Sequence, residues 1–216
     1  MQVIEKFVSI NGEGLKQGEL AVFIRFANCN LRCRYCDTKY SFIDPSYDEE
    51  SIDEIVEYIK ETNVKNITLT GGEPLLQVDI KELMIRLSDL GFNIEIETNG
   101  SIDISKFLNI KNVSFTLDYK LPTSLMEKFM NVDNYNYITK SDSIKFVCGS
   151  DKDLEKTVEI IRKYNLIDKT NCIISPVFGE IKLPSIVDFM INNNLNGVRM
   201  ALQIHKIIWD PEKRGV

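Results

Sequence analysis

The chain has 216 residues, with 26 Lys and Arg against 32 Asp and Glu and a net charge of −6. This balance gives no general electrostatic pull toward nucleic acid or an anionic membrane, and no run approaches the ~18 apolar residues of a membrane span. The length suits one domain, residues 1–216, that buries roughly 70–75% of its extended surface. The N-terminus has no long apolar stretch of the signal-peptide kind, so the expected location is the cytoplasm, where thiols stay reduced.

In chain order, "LAVFIRFAN" (20–28) is a nearly continuous apolar run, as in a strand buried on both faces. "CNLRCRYCDTKY" (29–40) follows, with three cysteines in eight positions. "SIDEIVEYIK" (51–60) opens with Ser51 and Glu54 spaced as a capping box, and Ile52, Ile55, Val56 and Ile59 share one helical face. "NITLTGGEP" (66–74) predicts a short strand and a turn, and Ile80, Leu83, Met84 and Leu87 predict an amphipathic helix. "FNIEIETNG" (92–100) alternates as a strand and stops at Asn-Gly; "NVSFTLDYK" (112–120) and "SIKFVCGS" (143–150) are further strands. Ser150 and Asp153 open a helix that buries Leu154, Val158 and Ile161. "NCIISPVFG" (171–179) is the sixth strand, another amphipathic piece starts after Pro184, and "GVRMALQIHK" (197–206) is ambiguous.

This βαβα order predicts an α/β fold with right-handed crossovers. Two links are short of a full helix. Residues 99–111 have room for a turn or two, and 121–142 is polar with a weak helix around Leu125–Met130. The expectation is a single-domain, incomplete (partial) β/α TIM-like barrel with about six parallel strands and fewer helices than a full barrel. Ligand sites in such sheets lie at the carboxyl ends of the strands. Here those ends carry the three cysteines, "TGGEP", "ETNG", "DYK", "CGS" and "SPVFG".

Cysteines clustered in a reducing compartment point to metal rather than disulfides. Three thiolates suit either a zinc site completed by a fourth ligand or water, or a [4Fe–4S] cluster with one iron left open for a substrate or cofactor. The only histidine, His205, is remote in sequence. Cys148 and Cys172 lie in apolar strands, as small buried hydrophobes or as ligands of an auxiliary cluster. Arg25 is a charge inside an apolar strand, which is costly unless paired. An internal ion pair would explain it, and so would a planar partner for a ligand carboxylate.

C-x3-C-x2-C after one strand and Gly-Gly-Glu-Pro after the next resembles the radical S-adenosylmethionine (SAM) superfamily. "INGEG" (10–14), "FIRFANCNLRCRYCDT" (23–38), "LTGGEPLLQ" (69–77), "ETNG", "SPVFG" and "HKIIWDPEKRGV" (205–216) resemble its 7-carboxy-7-deazaguanine synthase family, over essentially the whole chain. The resemblance implies a radical SAM barrel that converts 6-carboxy-5,6,7,8-tetrahydropterin to 7-carboxy-7-deazaguanine with loss of ammonia, in queuosine and 7-deazapurine biosynthesis. It implies that Cys29, Cys33 and Cys36 hold a [4Fe–4S] cluster and that Thr38 touches Mg2+. Tyr35, Cys36, Asp37, Gly72, Glu73, Asp118, Tyr119, Lys120, Ser175, Pro176, Val177 and Phe178 fall at SAM-contacting positions. Gly71 and Gly72 would let the backbone approach the methionine moiety, and Glu73 would receive its ammonium. Ile10, Asn11, Gly12, Arg25, Thr70 and the C-terminal Val216 fall at substrate positions, with Asn11 where the family usually has Gln. Asp118 and Tyr119 depart from a Ser-Pro-Lys pattern of which only Lys120 is kept.

The resemblance further implies a flavodoxin- or ferredoxin-like electron donor, a homodimer, and His205 and Trp209 packing the tail on the barrel. No acid–base pair is apparent. Two other readings are a radical-activating enzyme for a glycyl-radical or anaerobic ribonucleotide reductase protein, and a non-catalytic iron–sulfur or zinc module.

Overall fold

A computed structural model describes residues 1–216. β1 (Gln2–Ile10) and β2 (Leu20–Phe26) form an antiparallel pair, and β3 (Asp48–Glu49) lies along the outer side of β1. α1 (Ile52–Glu61) starts at the expected capping box: the Ser51 hydroxyl accepts from the Glu54 amide while the Glu54 carboxylate accepts from the Ser51 amide. It returns the chain to β4 (Asn66–Gly71), which is followed by α2 (Ile80–Asp89), β5 (Asn93–Thr98), β6 (Val113–Tyr119) and β7 (Ser143–Cys148). α3 (Asp151–Tyr164), α4 (Leu166–Lys169), β8 (Asn171–Pro176), α5 (Leu183–Asn192), β9 (Val198–Met200) and α6 (His205–Ile208) complete the chain.

The sheet order is β3-β1-β2-β4-β5-β6-β7-β8-β9, and every neighbouring pair from β2 to β9 is parallel. The barrel is open, since β3 and β9 are outer edges. The parallel set holds seven strands rather than about six. The ambiguous 197–206 segment supplies the seventh as β9 and then turns into α6. The two short links are as expected in length. Residues 99–111 hold one 3-10 turn, Ile104–Phe107. In place of a helix around Leu125–Met130, three 3-10 turns run from Pro122 to Asn136. Leu125 takes a left-handed φ of 64°, which no α-helix accommodates.

Strand side chains alternate between two faces. One parity, including Ile24, Phe26, Ile67, Leu69, Ile94 and Ile96, packs under the helices in a core of 38 buried residues. Each such side chain contributes about 1.5–3 kcal/mol on burial. Cys148 and Cys172 belong to this core as free thiols, and burial pushes each up to about 12. The other parity faces the barrel interior and is mainly polar, with Phe23 and Val147 among its apolar members. There Thr68 donates to Asn11 (2.8 Å) and Thr116 donates to Glu95 (2.7 Å). These bonds satisfy groups that burial would otherwise penalise. No helix is long and apolar enough to cross a membrane.

Candidate active site

At the carboxyl ends of the parallel strands lies a cleft of about 400 Å³. Cys29, Cys33 and Cys36 all line it. The cysteine loop is braced from several sides. The Cys36 amide donates to the Cys33 carbonyl (3.2 Å), the Arg34 amide to Ser124 (3.1 Å), and the Arg34 guanidinium pairs with Glu180. Amide hydrogens already face the first sulfur, from Leu31 N at 3.4 Å and Asn99 Nδ2 at 3.7 Å. Burial pushes the Cys33 and Cys36 thiols up, and the Lys120 ammonium opposes this at Cys33.

The Gly-Gly-Glu-Pro turn fixes the same loop from behind. Gly71 has a φ of +135°, open to glycine alone, and a Cβ there would overlap the Phe26 backbone. A Cβ on Gly72 would overlap the Asn28 carbonyl. The turn is stitched to the strand end by Gly72 N to Phe26 O (3.0 Å) and Glu73 N to Asn28 O (2.8 Å). The close approach these glycines permit is therefore first of all to the chain entering the cysteine loop, while both still line the cleft.

Glu73 does not line the cleft. It is fully buried, and its carboxylate accepts from Leu75 N (3.1 Å), Thr98 Oγ1 (2.8 Å) and Asn99 N (2.7 Å). Its side chain therefore braces the "ETNG" loop, not the ammonium expected from the sequence. Burial raises its pKa to about 7 even against those three donors.

Of the other residues singled out, Ile10, Gly12, Arg25, Tyr35, Asp37, Thr38, Thr70, Asp118, Lys120, Val177, Phe178 and Val216 line the cleft. Asn11, Tyr119, Ser175 and Pro176 do not. Asn11 is buried beneath, its carbonyl oxygen taken by Thr68 and its Nδ2 without a partner. Tyr119 has the opposite strand parity to Asp118 and sends its hydroxyl to Glu127 (3.0 Å). Ser175 is buried with its hydroxyl unpartnered.

Among the further residues that line the cleft, Glu13, Glu97, Lys145 and His205 carry titratable groups and had not been singled out for it. Lys145, 5% exposed, pairs with Glu13 (2.8 Å) and Asp118 (3.2 Å), and Lys120 holds Asp118 from the other side (2.8 Å). Burial works against both charged lysines, but Asp118 and its neighbours outweigh it, so their pKa values rise. Burial likewise opposes ionisation of Asp118, and the two lysines outweigh it and hold its pKa low. Glu97 accepts from Thr70 (2.9 Å); burial pushes it up to about 7, with Glu13 and Glu95 adding to the rise. A carboxyl at this value exchanges a proton near neutrality. Its signal was in "ETNG", read for its turn and not for its acid.

The C-terminal segment crosses the cleft, and Pro211–Val216 line it. The Ile204 amide donates to the Gly12 carbonyl (2.9 Å), and the His205 imidazole packs where a Gly12 Cβ would stand. Lys206 pairs with Asp37 at 2.8 Å. Arg25 pairs through Nε with Glu5 at 2.6 Å, so the internal ion pair exists while both terminal nitrogens remain without a protein partner.

The donor set can be matched to its groups. No three His, Cys, Asp or Glu side chains are gathered closely enough for a single metal ion. Three soft thiolates on one cleft wall, backed by amide hydrogens, suit an iron–sulfur cluster whose irons each take one ligand. The Thr38 hydroxyl, 2.9 Å from Asp37 Oδ1, adds the hard oxygen donors that Mg2+ prefers.

The sequence pattern of the radical SAM superfamily matches residues 23–190. A 7-carboxy-7-deazaguanine synthase of Clostridium acetobutylicum is 60% identical, across 100% of this chain and 99% of its own length. That of Thermoplasma acidophilum is 35% identical across 97% of each chain. Among solved structures, QueE from Escherichia coli matches with a TM-score of 0.72 at 21% identity, covering 93% of this chain and 92% of that one, which is a likeness of fold. With its cysteine loop, its partial barrel and full-length relatives at this identity, the chain belongs to the radical SAM superfamily and, within it, to the 7-carboxy-7-deazaguanine synthase family.

Proposed function

We propose that this chain is a radical SAM lyase. It converts 6-carboxy-5,6,7,8-tetrahydropterin to 7-carboxy-7-deazaguanine with ring contraction and loss of ammonia, in 7-deazapurine biosynthesis. The observation that carries the reading is one cleft collecting three cysteine thiols, the Arg25 guanidinium and the final residue, in a chain 60% identical to such a synthase.

Cys29, Cys33 and Cys36 hold the cluster, and Gly72, Tyr35, Asp37, Lys120, Val177 and Phe178 border the SAM. When bound, the cluster and SAM supply one-electron chemistry and the radical that takes a hydrogen from the substrate. The protein's own work is placement. Arg25 offers its two terminal nitrogens to the substrate carboxylate in a fork geometry. Thr38 gives Mg2+ one oxygen, and Thr70 borders the pterin beside Glu97. Glu97 carries or releases a proton near neutral pH. The Glu13–Lys145–Asp118–Lys120 chain keeps fixed charges on the cleft floor, and the C-terminal segment limits water entry.

The chain acts as one domain in the cytoplasm, takes its electron from a flavodoxin- or ferredoxin-like donor and pairs as a homodimer. The single domain follows from the length of the chain, and the donor and the homodimer follow from the family resemblance. One apolar surface available for pairing is the stripe of Leu183, Val187 and Ile191 on α5, all exposed.

The test is anaerobic turnover by reconstituted protein with SAM, reductant, Mg2+ and the pterin. The expected product is 7-carboxy-7-deazaguanine by mass spectrometry, absent with Cys33→Ala. SAM cleavage without deazaguanine would instead favour a radical-activating enzyme acting on a protein glycine, and a full cluster with no SAM cleavage would overturn the reading.

A further inference from the structure

Glu5 stands on β1 directly across from Arg25 in the β1–β2 register. Its carboxylate serves three groups. Oε1 accepts from Arg25 Nε (2.6 Å) and from the Tyr40 hydroxyl (3.0 Å), and Oε2 faces the Arg214 guanidinium (3.6 Å). Arg214 also lies over the Tyr40 ring, 3.7 Å from its centroid. Arg25, Tyr40 and Arg214 line the cleft; Glu5, its side chain 16% exposed, does not. The acid thus sits behind three cleft residues drawn from β2, the turn after the cysteine loop and the C-terminal segment.

We infer that Glu5 is a positioning residue with two linked tasks: it aims Arg25 into the cleft and it fastens the C-terminal segment across it. The first task follows from which nitrogen it takes. With Nε occupied, the guanidinium is held edge-on, and both terminal nitrogens are left to bind a carboxylate as a fork. The second follows from charge. Two guanidinium groups share one carboxylate, so the trio carries a net positive charge that suits an anionic ligand and would be repulsive without Glu5. Tyr40 links the tasks, giving its hydroxyl to Glu5 and its ring face to Arg214. Closure by the tail and the aim of Arg25 are then coupled through one acid outside every motif in the sequence. The inference rests on the reading of Arg25 as the partner of the substrate's carboxylate.

The experiment uses the full chain carrying Glu5→Gln, which keeps the shape and one oxygen while removing the charge. Two readouts are taken. Steady-state kinetics with the carboxylated pterin should show KM raised about tenfold. Over the same series kcat should stay within about threefold, and KM for SAM within about twofold. Trypsin cleavage after Lys213, followed by intact mass without substrate, should be about fivefold faster than in the parent. Combining Glu5→Gln with Arg214→Ala should speed that cleavage no further than either change alone, the signature of one coupled unit. A merely structural role would lower kcat and weaken both substrates together. Unchanged KM for the pterin with cleavage at the parental rate would overturn the inference. If the parent itself turns over no pterin, the proposed function fails, and the cleavage experiment still decides whether Glu5 holds the tail.

Discussion

Lys206, in α6, places its ammonium 2.8 Å from the carboxylate of Asp37, the residue after the third cysteine. This contact joins the loop that carries the thiols to the segment that crosses the cleft. Partial desolvation by the surrounding cleft disfavours an ionised Asp37, yet Lys206, the Thr38 hydroxyl and Arg25 outweigh it and bring the carboxyl to about 2. The Asp37 side chain is 53% exposed, so the pair adds little to global stability. Lys206→Ala should therefore change the unfolding free energy by less than about 1 kcal/mol. Amide exchange across Ile204–Trp209 should accelerate clearly, as read by hydrogen–deuterium mass spectrometry. Exchange at the parental rate would show that the tail is held without this pair.

Substituting Gly72 tests the seam between the two loops. Gly72→Ala forces a methyl group into the Asn28 carbonyl, a backbone group with no flexible side chain to yield. The expected loss is about 3 kcal/mol or more. The cluster should suffer with the fold, because the displaced segment leads directly into Cys29. Thermal unfolding and iron per chain would be measured together, and normal iron content in a stable variant would refute the account.

Glu73→Gln separates a brace from a ligand contact. The amide keeps one oxygen for Leu75 N and Thr98 Oγ1, but its NH2 group then meets the Asn99 amide, donor against donor. The expected cost is about 1–3 kcal/mol of stability. Denaturant unfolding and SAM affinity distinguish the roles, since a side chain whose task is to hold the SAM ammonium would lose affinity without losing stability.

Glu97 gives a pH signature. Its ordinary value of 4.5 rises to about 7 in the fold, so between those values the folded protein keeps a proton that the unfolded chain has released. Stability from this group is present at low pH and is lost as pH rises through that window. Glu73 acts in the same direction. Glu97→Gln should remove one share of the loss, on the order of 2–3 kcal/mol. Urea unfolding at pH 5 and pH 8 would read the difference between the two pH values, which should be smaller in the variant than in the parent.

Local signals survived translation into structure best. Ser51–Glu54 and Ser150–Asp153 cap their helices as their spacing dictates, because a cap needs only neighbours along the chain. The three cysteines reach one cleft because eight consecutive positions carry them. The polar side of the strands was harder to place. In "FNIEIETNG" the alternation is plain, but Glu95 and Glu97 occupy positions that read equally as solvent-facing, and the expected barrel did not by itself say which face of the strand turns inward. Pairing across the cleft was not legible either. Glu13 meets Lys145 across 132 positions and Asp37 meets Lys206 across 169, and no local pattern encodes either contact. The glycines of the Gly-Gly-Glu-Pro turn were legible as a close approach, but not that the neighbouring backbone is one of the things they approach.

The open barrel has a consequence for how the protein behaves in a crowded solution. An unclosed sheet exposes two rows of unpaired amides and carbonyls, the usual template for strand-to-strand aggregation. Here one edge strand is the two-residue Asp48–Glu49, which pairs only with Gln2 and Val3, so β1 from Ile4 to Ile10 has no strand on its outer side; the other edge is the three-residue Val198–Met200. Along that uncovered stretch Glu5 and Lys6 put charge on the edge strand, and charge rather than shortness is what disfavours pairing with a neighbouring chain there. The sheet can stay open for its chemistry and still refuse to grow.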